Sequence, residues 1–251
     1  MAVAVRSSSK NDSTTGTALS VSAPAGATAG DLVVIIAQVN GQTTIADNNG
    51  STPFTAAPNF TDYKPNTTNG HTVTVFSRTI VGGDPATYNF TSGSSGRWGV
   101  IAICYSGTSL SFDVAPNTAN AANDDSASTG TINAPSITTG VANTIHTVFC
   151  GWDTSATGTI TTPTGYTLLQ NANSGGEPVH ASYKSIATAS ATGAVSIANT
   201  EFGAMIASSF SVKDSSAILV KTKNGLAQAS IKTYNGLATA SVKSVNGLSN
   251  V

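Results

Sequence analysis

The segment 32–39 reads LVVIIAQV, an apolar run broken only by Gln38, entered from Gly30-Asp31 and left through Asn40-Gly41. A run this short, rich in β-branched residues and bounded by turn formers, reads as a strand covered on both faces. VIAIC (100–104) has the same character. HTVTVFSRTI (71–80) alternates instead, with Val73 and Val75 on one face and Thr72, Thr74 and Phe76 on the other. Charged residues make up only 9% of the 251-residue chain, against about 25% in ordinary soluble domains. Helices wet their outer faces with Glu, Lys and Arg. Here Ser, Thr, Asn and Gly must do that work, and they suit strands and turns. The predicted fold is all-β, an antiparallel β-sandwich of jelly-roll-like character, with strands of five to nine residues. Segments 112–130 and 153–164, rich in Ala, Asn, Ser and Thr, read as loops, and no segment reads as a helix. A chain of this length buries a core without needing disulfides or metal.

The body reads as a duplication. GDLVVIIAQVNG from Gly30 corresponds to ANTIHTVFCGWD from Ala142. APNFTDYK and TPTGYTLL follow, each a Pro turn with an aromatic two or three residues after the proline, Phe60 or Tyr166. HTVTVFSRTI then corresponds to PVHASYKSIA, with Arg78 opposite Lys184 and Ile80 opposite Ile186. Last, the strand carrying Trp98-Gly99 corresponds to the one carrying Phe202-Gly203. The expected body is 1–212, with related halves at about 17–107 and 131–212. Each half is expected to present one apolar face that the other covers.

Residues 213–251 form a separate repeat: ILVKTKNGLAQAS, IKTYNGLATAS, VKSVNGLSNV. Asn224-Gly225-Leu226, Asn235-Gly236-Leu237 and Asn246-Gly247-Leu248 recur every eleven residues. Asn-Gly is the strongest short hairpin signal, because a type I′ turn needs positive φ at both central positions. The reading is a hairpin or meander of nine-residue strands that serves as an assembly device, since a lone ribbon is marginal in water. Residues 1–212 carry six Lys and Arg against eleven Asp and Glu, a net of −5, and 213–251 carry a net of +4. A tail this weakly basic, without Arg, excludes nucleic acid as the expected partner.

Candidate chemistry is sparse. His71, His146 and His180 are not in a metal-ligating spacing, and His180 is expected to pair with Glu177 at a loop edge. No G-x-S-x-G elbow occurs, and SGSSGRWG (92–99) reads as a turn. Asp124-Asp125 lies in a polar loop, and ADNNG around Asp47 reads as an Asx turn. Cys104 and Cys150 sit in apolar runs and read as buried free thiols, with a disulfide as the alternative. Expected are no enzyme activity, no cofactor and no metal. For a glycan or partner contact the candidates are Trp152, at a strand end and the most exposed aromatic, and Tyr166. Trp98 reads as core. No apolar run reaches the length of a membrane span, and the first residues do not read as an export signal.

APAGATAGDLVVIIAQVNG, HTVTVFSRTIVGGDPATYNFTSG and RWGVIAICYSG, with the (I/V)K(T/S)xNGLAxAS tail, resemble a diffuse group of β-sandwich proteins. Such proteins are common among tailed-phage structural components and bacterial surface proteins. The resemblance spans roughly 17–212 and 217–251 and rests on strand and turn motifs. It implies a virion-surface protein: a head decoration or fibre, or a tail or receptor-binding protein. Its implied partners are other virion proteins and copies of itself. The alternative is a carbohydrate-binding or adhesin module at the cell surface or outside the cell, taking a host-surface glycan. The inert reading requires that no polar pocket gather titratable groups between the two halves.

Overall fold

The computed structural model describes residues 3–41, 44–57, 60–61, 71–124, 130–154, 158–200 and 203–215, and six short strands beyond them. The chain divides into two compact units, Met1–Asp214 and Ser215–Val251.

In the first unit the strands are β1 (Ala4–Ser22), β2 (Leu32–Asn40), β3 (Ile45–Asp47), β4 (Thr55–Ala56), β5 (Phe60–Thr61), β6 (His71–Thr79) and β7 (Thr87–Ser106). There follow β8 (Leu110–Val114), β9 (Ala121–Asp124), β10 (Thr131–Ala134), β11 (Thr144–Asp153) and β12 (Ile160–Thr161). β13 (Thr167–Ala172), β14 (Val179–Ile186), β15 (Val195–Asn199) and β16 (Ala204–Asp214) complete the unit. The one helical element described is a 3-10 turn, Thr118–Asn120. No helix among the described residues is long and apolar enough to cross a membrane.

Two antiparallel sheets have the same strand order. The first runs β1-β7-β2-β6-β4 and the second β8-β16-β11-β14-β13. Val33 pairs with Arg78 and Cys104, and His146 pairs with Lys184 and Ser211. The ladders therefore match Arg78 to Lys184 and shift the central strands by one residue from the sequence alignment, so that Leu32 takes the place of Ile145 and Val33 that of His146. A one-residue slip exchanges the faces of a strand, and Leu32 and Ile145 both belong to the core between the sheets. The same frame matches Trp98 to Met205, which corrects its alignment with Phe202, a residue outside the described ones.

Each sheet is apolar on both faces, so the expectation of a single covered face per half is corrected. Between the sheets lie Leu32, Val34, Ile36, Val75, Ile101 and Ile103 against Ile145, Phe149, Ala181, Phe210 and Val212. On the far side of the first sheet, Val33, Ile35 and Phe76 pack with Tyr88 and Phe90. Phe90 lies twelve residues before Ala102, the neighbour of Ile35 in the ladder, yet its ring is 4.9 Å from Phe76. β7 must therefore fold back over its own sheet, and β1 follows it through register shifts at Ser13, Gly16 and Ala18. In the second half the covering layer is a separate sheet, β10-β15-β12, which seals Val148, Cys150 and Trp152 with Ile132, Val195 and Ile197.

Five segments depart from the sequence reading. SGSSGRWG (92–99), expected as a turn, lies wholly within β7, where it pairs with β1 and β3. Residues 4–16, polar and unassigned in sequence, form most of β1. Leu110–Val114 and Ala121–Asp124 pair with β16, and Ile160–Thr161 pairs with β15, in place of the expected loops. Pairing to a formed neighbour overrides weak local preference at such edges. The edges of β1 and β13 are tied by side chains: Ser8 Oγ donates to Leu169 O at 3.1 Å and Gln170 Nε2 to Ser8 O at 3.2 Å. Lys10 Nζ donates to Asn171 O.

In the second unit, Thr222–Lys223 pairs with Leu226–Ala227, Thr233–Tyr234 with Leu237–Ala238, and Ser244–Val245 with Leu248–Ser249. These are three antiparallel ladders of two residues per strand. The Asn-Gly pairs and the residues needed for nine-residue strands lie outside the described residues.

Candidate functional site

Titratable groups from the two halves do meet, at the ends of the two central strands. Gln38 and Asn40 close β2, Trp152 and Asp153 close β11, Arg97 lies in β7, and Glu177 precedes β14. Arg97 Nε donates to Glu177 Oε1 at 2.7 Å. Its Nη2 reaches the same oxygen at 2.6 Å and Asp153 Oδ1 at 3.3 Å. Glu177 Oε2 accepts from Gln38 Nε2 and from the Thr154 backbone N–H, both at 3.3 Å. Gln38 Nε2 also donates to Trp152 O at 2.7 Å, and Asn40 Nδ2 donates to Asp153 Oδ1.

The backbones come together closely enough to require glycine. A Cβ at Gly99 would stand 2.1 Å from Glu177 O, and one at Gly176 would stand 2.1 Å from Trp98 O. The Glu177 N–H donates to Trp98 O at 3.2 Å. At Gly151 the space of a side chain is taken by Gln38 Oε1, 1.8 Å from where a Cβ would sit. By the ladder frame Gln38 and Gly151 are matched positions of the two halves, as are Asn40 and Asp153. The clasp thus brings matched positions of the two sheets into contact.

Glu177 is fully buried and Asp153 nearly so, while the Arg97 side chain keeps 30% of its surface. Burial, and then the Asp153 carboxylate, push the Glu177 carboxyl up to about 8. Arg97 and the Thr154 N–H work against that rise. A pair of carboxylates is also the core of a glycoside-cleaving site. Here both Glu177 oxygens are occupied by internal donors and the residue presents no surface to solvent. The arrangement ties Arg97 and Gln38 of the first half to Glu177 and Trp152 of the second.

Trp152 is fully buried in the layer over the second sheet, which corrects its expected exposure. Apolar residues of β10, β15 and β16 close over a strand end that looks terminal in sequence. Tyr166 is half-buried, and its hydroxyl hydrogen-bonds His146 Nδ1 at 2.8 Å. Trp98 is core, as expected, and donates from Nε1 to Gly16 O at 2.9 Å. His180 does not pair with Glu177. Its Nδ1 meets Asn171 Oδ1 at 2.6 Å and its Nε2 meets Ser182 Oγ at 3.1 Å. Burial holds both His146 and His180 down at about 4, so both are neutral. Asp47 Oδ2 accepts from the Asn49 backbone N–H at 3.4 Å, the bond of an Asx turn, and Asp47 Oδ1 accepts from Asn49 Nδ2 at 2.5 Å. Cys104 and Cys150 are free and buried. Among the described residues no three His, Cys, Asp or Glu side chains converge as a metal site.

Comparison with protein-family models, curated proteins and solved structures gives no match.

Proposed function

We propose that this protein is a structural, non-enzymatic component of a bacteriophage particle, exposed at its surface and anchored through a terminal segment. The observation that carries the reading is the division of the chain into a self-contained body and a separate unit of regularly spaced hairpins. In the body's ion network both Glu177 oxygens are held by internal donors, which suits a scaffold. Isolated two-residue ladders gain stability from partners, as an assembly segment would from other virion proteins or copies of the chain. The resemblance of the body and tail motifs to tailed-phage structural proteins supports the same reading, and favours the virion surface as its location, in head decoration, fibre or receptor-binding component. The alternative, a glycan-binding or adhesin module, loses one of its two aromatic contacts with the burial of Trp152.

The test is quantitative mass spectrometry of purified particles from infected cells. The protein is expected at a fixed copy number that fits a symmetric assembly. Its recovery only as a soluble monomer, with none in particles, refutes the proposal. A glycan array that detects binding sensitive to Tyr166→Ala would favour the alternative.

A further inference from the structure

The covering layers of the two halves differ in chemistry at matched positions. In the first half the far side of the sheet carries Val33, Phe76 and Ala102, closed by aromatic contacts such as Phe54 with Tyr88 at 5.0 Å and Phe76 with Phe90 at 4.9 Å. In the ladder frame the second half carries His146, Ser182 and Ser209 there. A serine replaces a phenylalanine, a histidine replaces a valine, and no aromatic of the covering sheet fills the space.

Three polar atoms of this face are buried with no hydrogen-bond partner among the described residues: Thr144 Oγ1, His146 Nε2 and Ser209 Oγ. Their residues are 0–1% exposed. They share one face: Thr144 and His146 are successive same-face positions of β11, and Ser209 pairs with Val148, the next same-face position. The Tyr166 hydroxyl on His146 Nδ1 leaves Nε2 directed elsewhere. A buried polar group without a partner costs about 1–3 kcal/mol, so three on one face would cost the fold several times that. Buried waters typically make about three bonds to such groups.

We propose that the layer over the second sheet is built around internal water molecules held by Thr144, His146 and Ser209, where the first half is sealed by aromatic rings. With the Tyr166 O–H donating to Nδ1, neutral His146 donates from Nε2, and the two hydroxyls each donate or accept as a water requires.

A crystal structure of the full chain at about 1.5 Å, with waters placed at hydrogen-bond distance, tests this directly. Ordered waters on His146 Nε2 and Ser209 Oγ are expected. Protein partners for both atoms, or density of a larger solute, overturn the proposal. Ser209→Ala, which installs the alanine found at the matched Ala102, is the solution test. Removing one support of a bound water is expected to lower the unfolding midpoint by about 2–4 °C. If the face is dry, removing an unpaired hydroxyl leaves the midpoint unchanged or raises it, and that result overturns the proposal.

Discussion

Glu177→Gln isolates the titration of the clasp. The folded state holds the Glu177 carboxyl at about 8 against an ordinary value of 4.5. Between those pH values the folded chain keeps a proton that the unfolded chain has released. The Glu177 contribution to stability therefore falls as pH rises, by up to about 1.4 kcal/mol per pH unit and on the order of 4 kcal/mol across the window; His146 and His180, held down at about 4, act in the opposite sense below about 6.5 in both proteins, so the difference between the two curves isolates Glu177. The contribution is fully present below about 4.5 and gone above about 8. The amide that Glu177→Gln installs keeps an acceptor for Arg97 and does not titrate. Asp31, held below its ordinary range against the desolvation of burial by Arg6, Thr28 and Cys104, affects stability only at lower pH. The assay is guanidinium denaturation of both proteins at pH 5, 6, 7, 8 and 9, compared at constant m. The wild type should be the more stable at pH 5 and the less stable at pH 9, with curves that cross. Parallel curves between pH 5 and 8 would show that Glu177 is ionised throughout and refute the reasoning.

Gly99→Ala sets a side chain against the Glu177 carbonyl and should lower stability by about 3 kcal/mol or more. Gly82→Ala, with nothing within 4 Å, should stay within about 0.5 kcal/mol; thermal melts of the pair check both. Burial pushes the Cys104 thiol up to about 12 and raises Cys150 well above its ordinary value. Neither should react with a thiol reagent at pH 8 in the native protein, and both should react in denaturant. Prompt labelling of the folded chain would contradict the packing.

The fold is legible because its central strands carry strong signals. LVVIIAQV and VIAIC form β2 and the inner length of β7, buried on both faces, and HTVTVFSRTI forms β6 with Val73 and Val75 between the sheets. Residues 4–16 and Ala121–Asp124 are illegible because their Ser, Asn, Asp and Ala carry little strand preference, and a long-range neighbour decides their conformation. The clasp leaves faint marks: Gln38 inside an otherwise apolar run, Asp153 closing another, a lone Arg97 between glycines, and Gly175-Gly176 before Glu177. Each has an ordinary local explanation, and only the meeting of residues up to 139 positions apart joins them. Trp152 misleads for the reciprocal reason: its cover comes from strands distant in sequence.

The meeting of matched positions is the deepest of these relations. Gln38 lies over Gly151 and Asn40 bonds Asp153. Two glutamines would collide at the first pair of positions and two aspartates would repel at the second, so each pair stands as one large with one small, or one amide with one acid. Asn40→Asp restores symmetry at the second pair and sets two carboxylates at hydrogen-bond distance. With Arg97 bridging one of them, the repulsion should cost about 2 kcal/mol at pH 7 and fade at low pH as one carboxylate takes up a proton. Asn40→Asp with Asp153→Asn exchanges the partners and keeps one amide facing one acid. The double variant should recover most of the loss in denaturant unfolding at pH 7. If it is no more stable than Asn40→Asp alone, pairing of amide with acid does not govern these two positions, and the loss belongs to the contact of Asp153 with Arg97.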